Sequence, residues 1–225
     1  MRLGCDDLSE PLYLSEKYIN VLSIENKALF RRFIKAMLNG EPEEENFIFS
    51  ENYKPLPYRK NICFLYDCYN LSFSSSFMKK IYDDMATFCS DEMLDRTIAL
   101  KKAVTDFISK VTEEFDFDFI YNDDVSLQDV FKIQNVRPDT NSQGVLESLY
   151  EYIVLIQKYT PVRCFVISGL HQNFSTTELE AFYKELIDRK IRLLVVESTT
   201  DFVPSLFEEL TIIDEDLCEI VEKER

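Results

Sequence analysis

The sequence predicts an α/β fold, in which a mostly parallel sheet forms a head domain that carries an inserted helical domain. Two observations support this prediction. Residues 164–168 and 191–197 are near-continuous apolar runs, as in strands that helices cover on both faces of a parallel sheet. The chain also passes from a strand-rich part through a helical part to a second strand-rich part. We therefore assign residues 1–70 and 159–225 to the head and residues 71–158 to the helical leg domain.

The first third of the chain combines strands with one helix. Residues 18–24 form an apolar run that predicts a strand, and residues 27–38 follow with helical spacing. Gly40 ends this helix, because glycine readily adopts the left-handed conformation found just past a helix C-terminus. A short strand over residues 47–49 and a longer one over residues 61–66 complete this part.

The middle of the sequence is helical almost throughout. Its apolar residues recur every three or four positions, which indicates helices that pack on one face. The predicted helices cover residues 74–88, 92–115, 125–134 and 144–159. The second of these is long and spaces its apolar residues like a paired helix, so we expect this domain to project from the head.

The last third returns to strands and closes on acidic residues. Between its two apolar strands, Ser175 and Glu178 form a capping box, with Phe174 and Leu179 as the accompanying hydrophobic staple. The only histidine, His171, lies just before this helix. Ligands often bind at such strand ends in α/β proteins, but a polar loop residue is the simpler interpretation.

Composition limits the class of protein. Of the 225 residues, 46% are hydrophobic and 13% aromatic, so we expect a buried core rather than disorder. No run of about 18 apolar residues is present to span a membrane. The six cysteines include no CxxC pair, which favours free thiols in a reducing compartment. These features predict a soluble intracellular protein.

The charge of the chain is negative but unevenly distributed. A net charge of −16 argues against nucleic-acid binding, because phosphate contacts need clustered lysines and arginines. Two local basic stripes nevertheless lie on predicted helices. They consist of Lys27, Arg31, Arg32 and Lys35, and of Lys101, Lys102 and Lys110. Each stripe is either a phosphate-binding surface or a solvated helix face, and by itself the pattern favours the solvated face.

Motifs for catalysis and nucleotide binding are missing from the sequence. The turn at Glu25 and Asn26 takes the place of a phosphate-binding loop, but it has no glycine that would let backbone amides wrap a phosphate. Asp67 follows an apolar strand, as the metal-binding aspartate of an ATPase would, yet without that loop it is better interpreted as a turn residue. Neither a GxSxG motif nor zinc-ligand spacing is present. We therefore predict that the protein is not an enzyme.

One acidic cluster has the composition of a cation site. Five aspartates fall within fourteen residues at a predicted helix–loop–helix junction: Asp116, Asp118, Asp123, Asp124 and Asp129. Their charges repel one another unless they are solvated or bound to a cation, and calcium takes about six to eight oxygen ligands from irregular loops. The spacing is not that of an EF-hand. The alternative is that Asp123 or Asp124 caps the next helix.

Two blocks of the sequence resemble a known family. In the first, residues 21–33, a strand ends in a glutamate–asparagine turn and is followed by a helix with a leading phenylalanine. The second, residues 165–216, contains a strand, a capped helix and a strand that ends in Glu197. It closes on an acidic run that begins at Ile212 and ends at Asp216. In order and length the chain resembles the short form of the ring-forming DNA-end-binding protein of type II-A CRISPR adaptation modules.

This resemblance implies a fold and a function. The family head is similar to P-loop ATPases that have lost the P-loop, and the leg is helical. Its members form tetrameric rings, bind calcium and thread linear double-stranded DNA without cutting it, beside the CRISPR integrase and effector nuclease. The family's calcium ligands correspond to Asp118, Asp123, Asp124 and Asp129, with Asp116 adjacent. In such a ring, basic stripes at the hole would bind DNA although the exterior is acidic.

We therefore expect a homotetramer in the bacterial cytoplasm that binds DNA ends in spacer acquisition. The alternative is an acidic cytosolic protein-interaction adaptor of the same degenerate P-loop-like fold. In that case the helical leg binds a partner protein and the basic stripes are only solvated.

Overall fold

The computed structural model describes residues 1–139 and 144–222. In this part of the chain the strands are β1 (Arg2–Gly4), β2 (Leu12–Tyr13), β3 (Ile19–Ile24), β4 (Ile48–Glu51), β5 (Lys54–Pro55), β6 (Ile62–Leu65), β7 (Cys164–Ser168), β8 (Arg192–Glu197), β9 (Glu208–Ile213) and β10 (Glu219–Glu222). The helices are α1 (Lys27–Asn39), α2 (Tyr58–Asn61), α3 (Ser75–Glu92), α4 (Leu94–Glu113), α5 (Leu127–Ile133), α6 (Val145–Tyr159), α7 (Leu170–Asn173) and α8 (Thr176–Asp188). The predicted α/β class is confirmed.

The chain divides into two compact units. One combines Met1–Leu71 with Thr140–Arg225 and contains all the described strands, whereas the other, Ser72–Asp139, contains α3, α4 and α5. Helix α6 packs against α8 inside the first unit. The sequence-based boundary at residue 158 puts α6 in the helical domain instead. Helical periodicity shows which face of a helix is apolar, but it does not show which body that face packs on.

The larger sheet is mixed. Its strands have the order β10-β9-β3-β8-β7-β6, and all neighbouring pairs are parallel except β10 with β9. Strands β3, β6, β7 and β8 coincide with the predicted apolar runs. Strand β9 was not expected from the sequence, although it pairs with β3 along the whole length of that strand. Because β9 begins with two glutamates, its apolar run is too short to predict a strand.

A second, smaller sheet lies in the same unit. It has the order β2-β1-β4-β5, and each of its pairs is antiparallel. The strand predicted over residues 47–49 is β4 of this sheet and does not extend the parallel one. Strands β2 and β5 are two residues long, so they have no periodicity that a sequence could reveal.

One part of the core of the first unit combines the apolar face of α1 with residues of both sheets. All six residues of β3 and the last five of β8 are buried. The ring of Phe33 from α1 is fully buried and meets the ring of Phe47 edge-on, with centroids 5.0 Å apart. Burying such a side chain contributes about 1.5–3 kcal/mol to stability. The apolar face of α1 is therefore buried in this core, and its basic residues lie on the exposed side.

The helical unit is less thoroughly packed. Helix α5 packs on α3, where the hydroxyl of Tyr82 donates a hydrogen bond to the Val136 carbonyl at 2.9 Å. In α4, all of whose residues are described, only Thr97 is buried. Within the described residues, none of the helices combines the length and the apolar character that a membrane span requires.

Candidate functional site

Helix α1 begins where a nucleotide-binding α/β protein would hold phosphate. The side chain of Asn26 caps it, because its Oδ1 accepts hydrogen bonds from the amides of Ala28 and Leu29 at 3.1 and 3.0 Å. Beside it, the Glu25 carboxylate accepts a hydrogen bond from the hydroxyl of Thr200 at 2.7 Å. Two of the amides that could bind a phosphate therefore already have a partner within the chain.

Three basic residues form a row on the exposed side of α1. Lys27, Arg31 and Lys35 follow one another at intervals of four, so they share one face over about 12 Å of helix. All three are exposed. Within the part of the chain that the structure describes, none of them pairs with a carboxylate. We call these three residues the α1 basic row.

Arg32, the fourth basic residue of the predicted stripe, is engaged elsewhere. Its guanidinium lies 2.9 Å from Asp7 Oδ2 and 5.5 Å from the centre of the Phe47 ring. Asp7 is 25 positions away in the sequence, so helical spacing could not reveal this ion pair. Arg32 therefore ties the N-terminal segment to α1 and is less available for a ligand.

The second predicted stripe is interrupted in the structure. Lys102 and Lys110 are exposed on α4, but the exposed Asp106 lies between them on the same face. Lys101 is half-buried, and its Nζ lies 2.6 Å from Asp124 Oδ1. Only two of these three lysines are therefore open to solvent, and a carboxylate separates them. This stripe is a weaker phosphate-binding surface than the α1 basic row.

The five aspartates of the predicted calcium site are all exposed. They are Asp116, Asp118, Asp123 and Asp124 in the loop between α4 and α5, and Asp129 in the first turn of α5. The hydrogen bond and the positive charge of Lys101 lower the pKa of Asp124. The cap of α5 is Ser126, whose Oγ accepts from the Asp129 amide at 3.2 Å. The alternative in which Asp123 or Asp124 caps this helix is therefore wrong.

These carboxylates do not form a ready-made metal site. Among the described residues, no group of three or more His, Cys, Asp or Glu side chains is arranged to hold a metal ion. The chemistry of the ligands suits calcium, which prefers carboxylate oxygens. The geometry does not, because the aspartates are not gathered and the ammonium of Lys101 occupies the Asp124 carboxylate. Calcium binding at this loop therefore stays a prediction.

The helical unit exposes large apolar side chains. The rings of Phe115, Phe117 and Phe119 contact one another, with centroids 4.9, 5.5 and 5.8 Å apart, yet they remain 43–63% exposed. On α4, Ile98 and Phe107 are 56% and 68% exposed. These two residues are nine positions apart and therefore lie on opposite faces of the helix. Contiguous exposed apolar surface commonly marks a protein interface, and the three clustered phenylalanines form such a surface. We call Phe115, Phe117 and Phe119 the leg apolar surface.

His171 lies in α7 and its side chain is only 5% exposed, so its interpretation as a polar loop residue is wrong. Its Nδ1 lies 3.0 Å from Glu197 Oε1, and its Nε2 lies 2.9 Å from Glu208 Oε1 in an ion pair whose alignment falls short of a hydrogen bond. The ring of Phe202 stacks on the imidazole at 3.9 Å. Burial lowers the pKa of His171, but the two glutamates outweigh this effect and raise it to about 9. The imidazole is therefore charged at neutral pH and is not a general base.

The other potentially reactive residues have structural roles. Asp67 accepts a hydrogen bond from the Tyr69 amide at 2.9 Å, which confirms that it is a turn residue. All six cysteines are free thiols, as predicted. Burial raises the pKa of Cys63 and of Cys164 to about 12, so neither is a thiolate at neutral pH.

Comparison with protein families identifies the chain. A family model described as CRISPR-associated protein (Cas_Csn2) matches residues 40–217, which is well over half of the 225 residues. The chain belongs to this family. Membership implies a role in CRISPR adaptation in type II-A systems, and thus in defence. No curated protein matches the sequence.

The family match covers one of the two basic stripes. It includes α4 and the acidic loop, but it starts at residue 40, after the end of α1. The α1 basic row therefore lies outside the matched residues. Any role of this row in binding must therefore be argued from its own geometry and charge.

Proposed function

We propose that the chain is a non-catalytic protein that binds double-stranded DNA ends during CRISPR spacer acquisition. It would do so as a calcium-stabilised homotetrameric ring in the bacterial cytoplasm, beside the CRISPR integrase and effector nuclease. The observation that carries the DNA-binding proposal is the α1 basic row. It presents three exposed cations without carboxylate partners among the described residues, on a chain with a net charge of −16.

An acidic protein can bind DNA when its cations face the duplex and most of its carboxylates do not. Salt screens charges over about 8–10 Å, so a phosphate beside the row interacts chiefly with these three residues. The row extends over about 12 Å, comparable with the width of the major groove of B-DNA. If all three residues contact phosphates, each copy contributes about −2.7 to the slope of log K against log salt concentration.

The proposal of a non-catalytic role draws on the start of α1. A P-loop ATPase-like head would bind nucleotide phosphates at the turn between β3 and α1. Here Asn26 caps the helix from within the chain, and the adjoining Glu25 would repel a phosphate. A head related to P-loop ATPases, with its nucleotide site lost, is consistent with this turn.

Ring formation is the part of the proposal that concerns the leg apolar surface. A second copy of the chain would cover the three phenylalanines of this surface, which are 43–63% exposed. Burying apolar surface contributes about 25 cal/mol per Å², so covering three aromatic side chains would favour association. The number of four copies comes from the family resemblance alone.

Calcium is part of the same proposal. The five aspartates would supply its oxygen ligands, and the ion would neutralise charges that otherwise repel DNA. Because Lys101 pairs with Asp124, the loop must rearrange before the carboxylates can surround an ion.

Charge reversal on α1 tests the DNA-binding proposal. The test variant carries Lys27→Glu, Arg31→Glu and Lys35→Glu. The control variant carries Lys54→Glu, Lys60→Glu and Lys184→Glu, which change the net charge equally at exposed positions elsewhere. We expect the test variant to lose about 100-fold in affinity for linear duplex DNA and to show a shallower salt dependence, while the control keeps most of its affinity. Equal losses in both variants would contradict a specific role of the row.

The second candidate function is a protein-interaction adaptor without DNA binding. The leg apolar surface favours it, since a partner protein could cover that surface as well as a second copy could. A chain that remains monomeric and does not bind linear DNA at low salt would support the adaptor.

A further inference from the structure

A groove runs between α6 and α8 in the first unit. Its volume is about 600 Å³. Its walls are apolar and come from Val145, Leu146 and Tyr150 on α6, together with Phe174 and Phe182 beside and on α8. Helix α6 borders it from Val145 to residue 151 and α8 from residue 178 to 185, so the groove is about 10 Å long, or two helical turns.

The charged residues that line this groove are all acidic. They are Glu147, Glu151, Glu178 and Glu185, and among the residues that the structure describes no lysine or arginine lines it. Glu178 is held by the capping box of α8, so its carboxylate has a fixed position. Within the described residues, Glu151 and Glu185 make no ion pair, and both are exposed. Arg189 contacts the lining, where its Nε donates a hydrogen bond to the hydroxyl of Tyr150.

We propose that this groove binds a basic amphipathic helix of a partner protein. Two turns of helix would place apolar side chains at positions i, i+3 or i+4, and i+7 against the apolar walls. Lysines or arginines on either side of that apolar stripe would meet the unpaired carboxylates on both rims. The basic helix α1 of a second copy is a poor occupant, because its apolar residues Leu29, Phe33, Ile34 and Met37 are already buried in its own core. This inference does not depend on DNA binding.

Other uses of the groove fit its composition less well. A small polar ligand needs several polar groups that converge inside the pocket. In this groove the polar lining groups are the rim carboxylates and the hydroxyl of Tyr150, whose partner is Arg189. The groove is therefore apolar within and acidic at its edges, which is the pattern of a helix-binding surface.

Binding of designed peptides tests the proposal. The probe is a fluorescent helical peptide with leucines at i, i+3 and i+7 and lysines on both flanks. A second peptide replaces the leucines with serine, and a third replaces the lysines with glutamate. We expect fluorescence anisotropy to show saturable binding of the first peptide, with the other two at least about tenfold weaker. If the serine peptide binds as tightly as the leucine peptide, binding depends only on the attraction between a basic peptide and an acidic protein. That result would overturn the proposal.

Variants of the chain then locate the binding surface. The first, Ala181→Arg, fills the groove with a long basic side chain, and the second, Glu151→Lys with Glu185→Lys, reverses the charge of both rims. Each of these two variants should bind the leucine–lysine peptide at least about tenfold more weakly than the wild type does. Glu44→Lys with Glu45→Lys makes the same charge change on an exposed turn and should leave binding unchanged. Far-ultraviolet circular dichroism checks that each variant is folded. Undiminished binding to both folded groove variants would overturn the proposal, as would an equal loss in the control.

Discussion

The buried charge on His171 predicts a specific dependence of stability on pH. Its imidazole lies between Glu197 and Glu208, whose side chains are fully buried. Burial lowers its pKa, but the two glutamates raise it from 6.5 to about 9. Because the folded state holds the proton more tightly than the unfolded state, this stabilisation is complete below pH 6.5. It is lost as the pH rises through 9.

The magnitude follows from the difference between the two pKa values. The proton contributes about 3 kcal/mol to the free energy of unfolding at pH 5.5 and about 2 kcal/mol at pH 7.5. At pH 9.5 the contribution falls below about 0.5 kcal/mol. Domains of this size are stable by only about 5–15 kcal/mol, so the change is easily measured.

Two assays measure this contribution. His171 is the only histidine, so its imidazole NMR signals are unambiguous, and in the folded protein they should titrate near pH 9. Urea unfolding of the wild type and of His171→Gln should show a gap in stability that narrows from pH 5.5 to 9.5. Titration of the folded imidazole near pH 6.5 would refute the reasoning. If the glutamine variant does not fold, the NMR titration decides alone.

Three further predictions concern the core, the acidic loop and the leg. Phe33→Ala removes a fully buried ring and should lower the free energy of unfolding in urea by about 3–5 kcal/mol; a loss below about 1 kcal/mol would contradict the packing described. Asp123→Asn with Asp124→Asn should weaken calcium binding at least about tenfold by calorimetry, and unchanged affinity would exclude this loop as the calcium site. Phe117→Glu with Phe119→Glu should lower the mass measured by light scattering, whereas an unchanged oligomer would show that the leg apolar surface is not its interface.

The sequence predicts elements of this fold well where local chemistry decides them. The apolar runs of β3, β7 and β8 and the capping box at Ser175 are local signals, and each element is present in the structure. Strand β9 depends on pairing with β3, a contact between distant parts of the chain, and its own residues do not require it. The packing of α6 on α8 is likewise a tertiary choice that periodicity leaves open.

The candidate site shows the same division. Spacing correctly put Lys27, Arg31 and Lys35 on one face, because helical geometry is regular. Spacing could not show that Arg32 pairs with Asp7 or that Lys101 pairs with Asp124, because both partners are distant in the sequence. The partners of the only histidine were missed for the same reason, although a glutamate closing a fully apolar strand was a usable signal.

The most direct test of the central claim compares two forms of the same DNA. A plasmid is supplied either linearised or covalently closed and relaxed, and each form competes with a labelled linear duplex for the protein in the presence of calcium. If the chain binds DNA from its ends, the linearised plasmid should displace the label and the closed circle should not. Equal displacement by both forms would contradict end-dependent binding, and no binding of the labelled duplex at low salt would contradict the DNA-binding function itself.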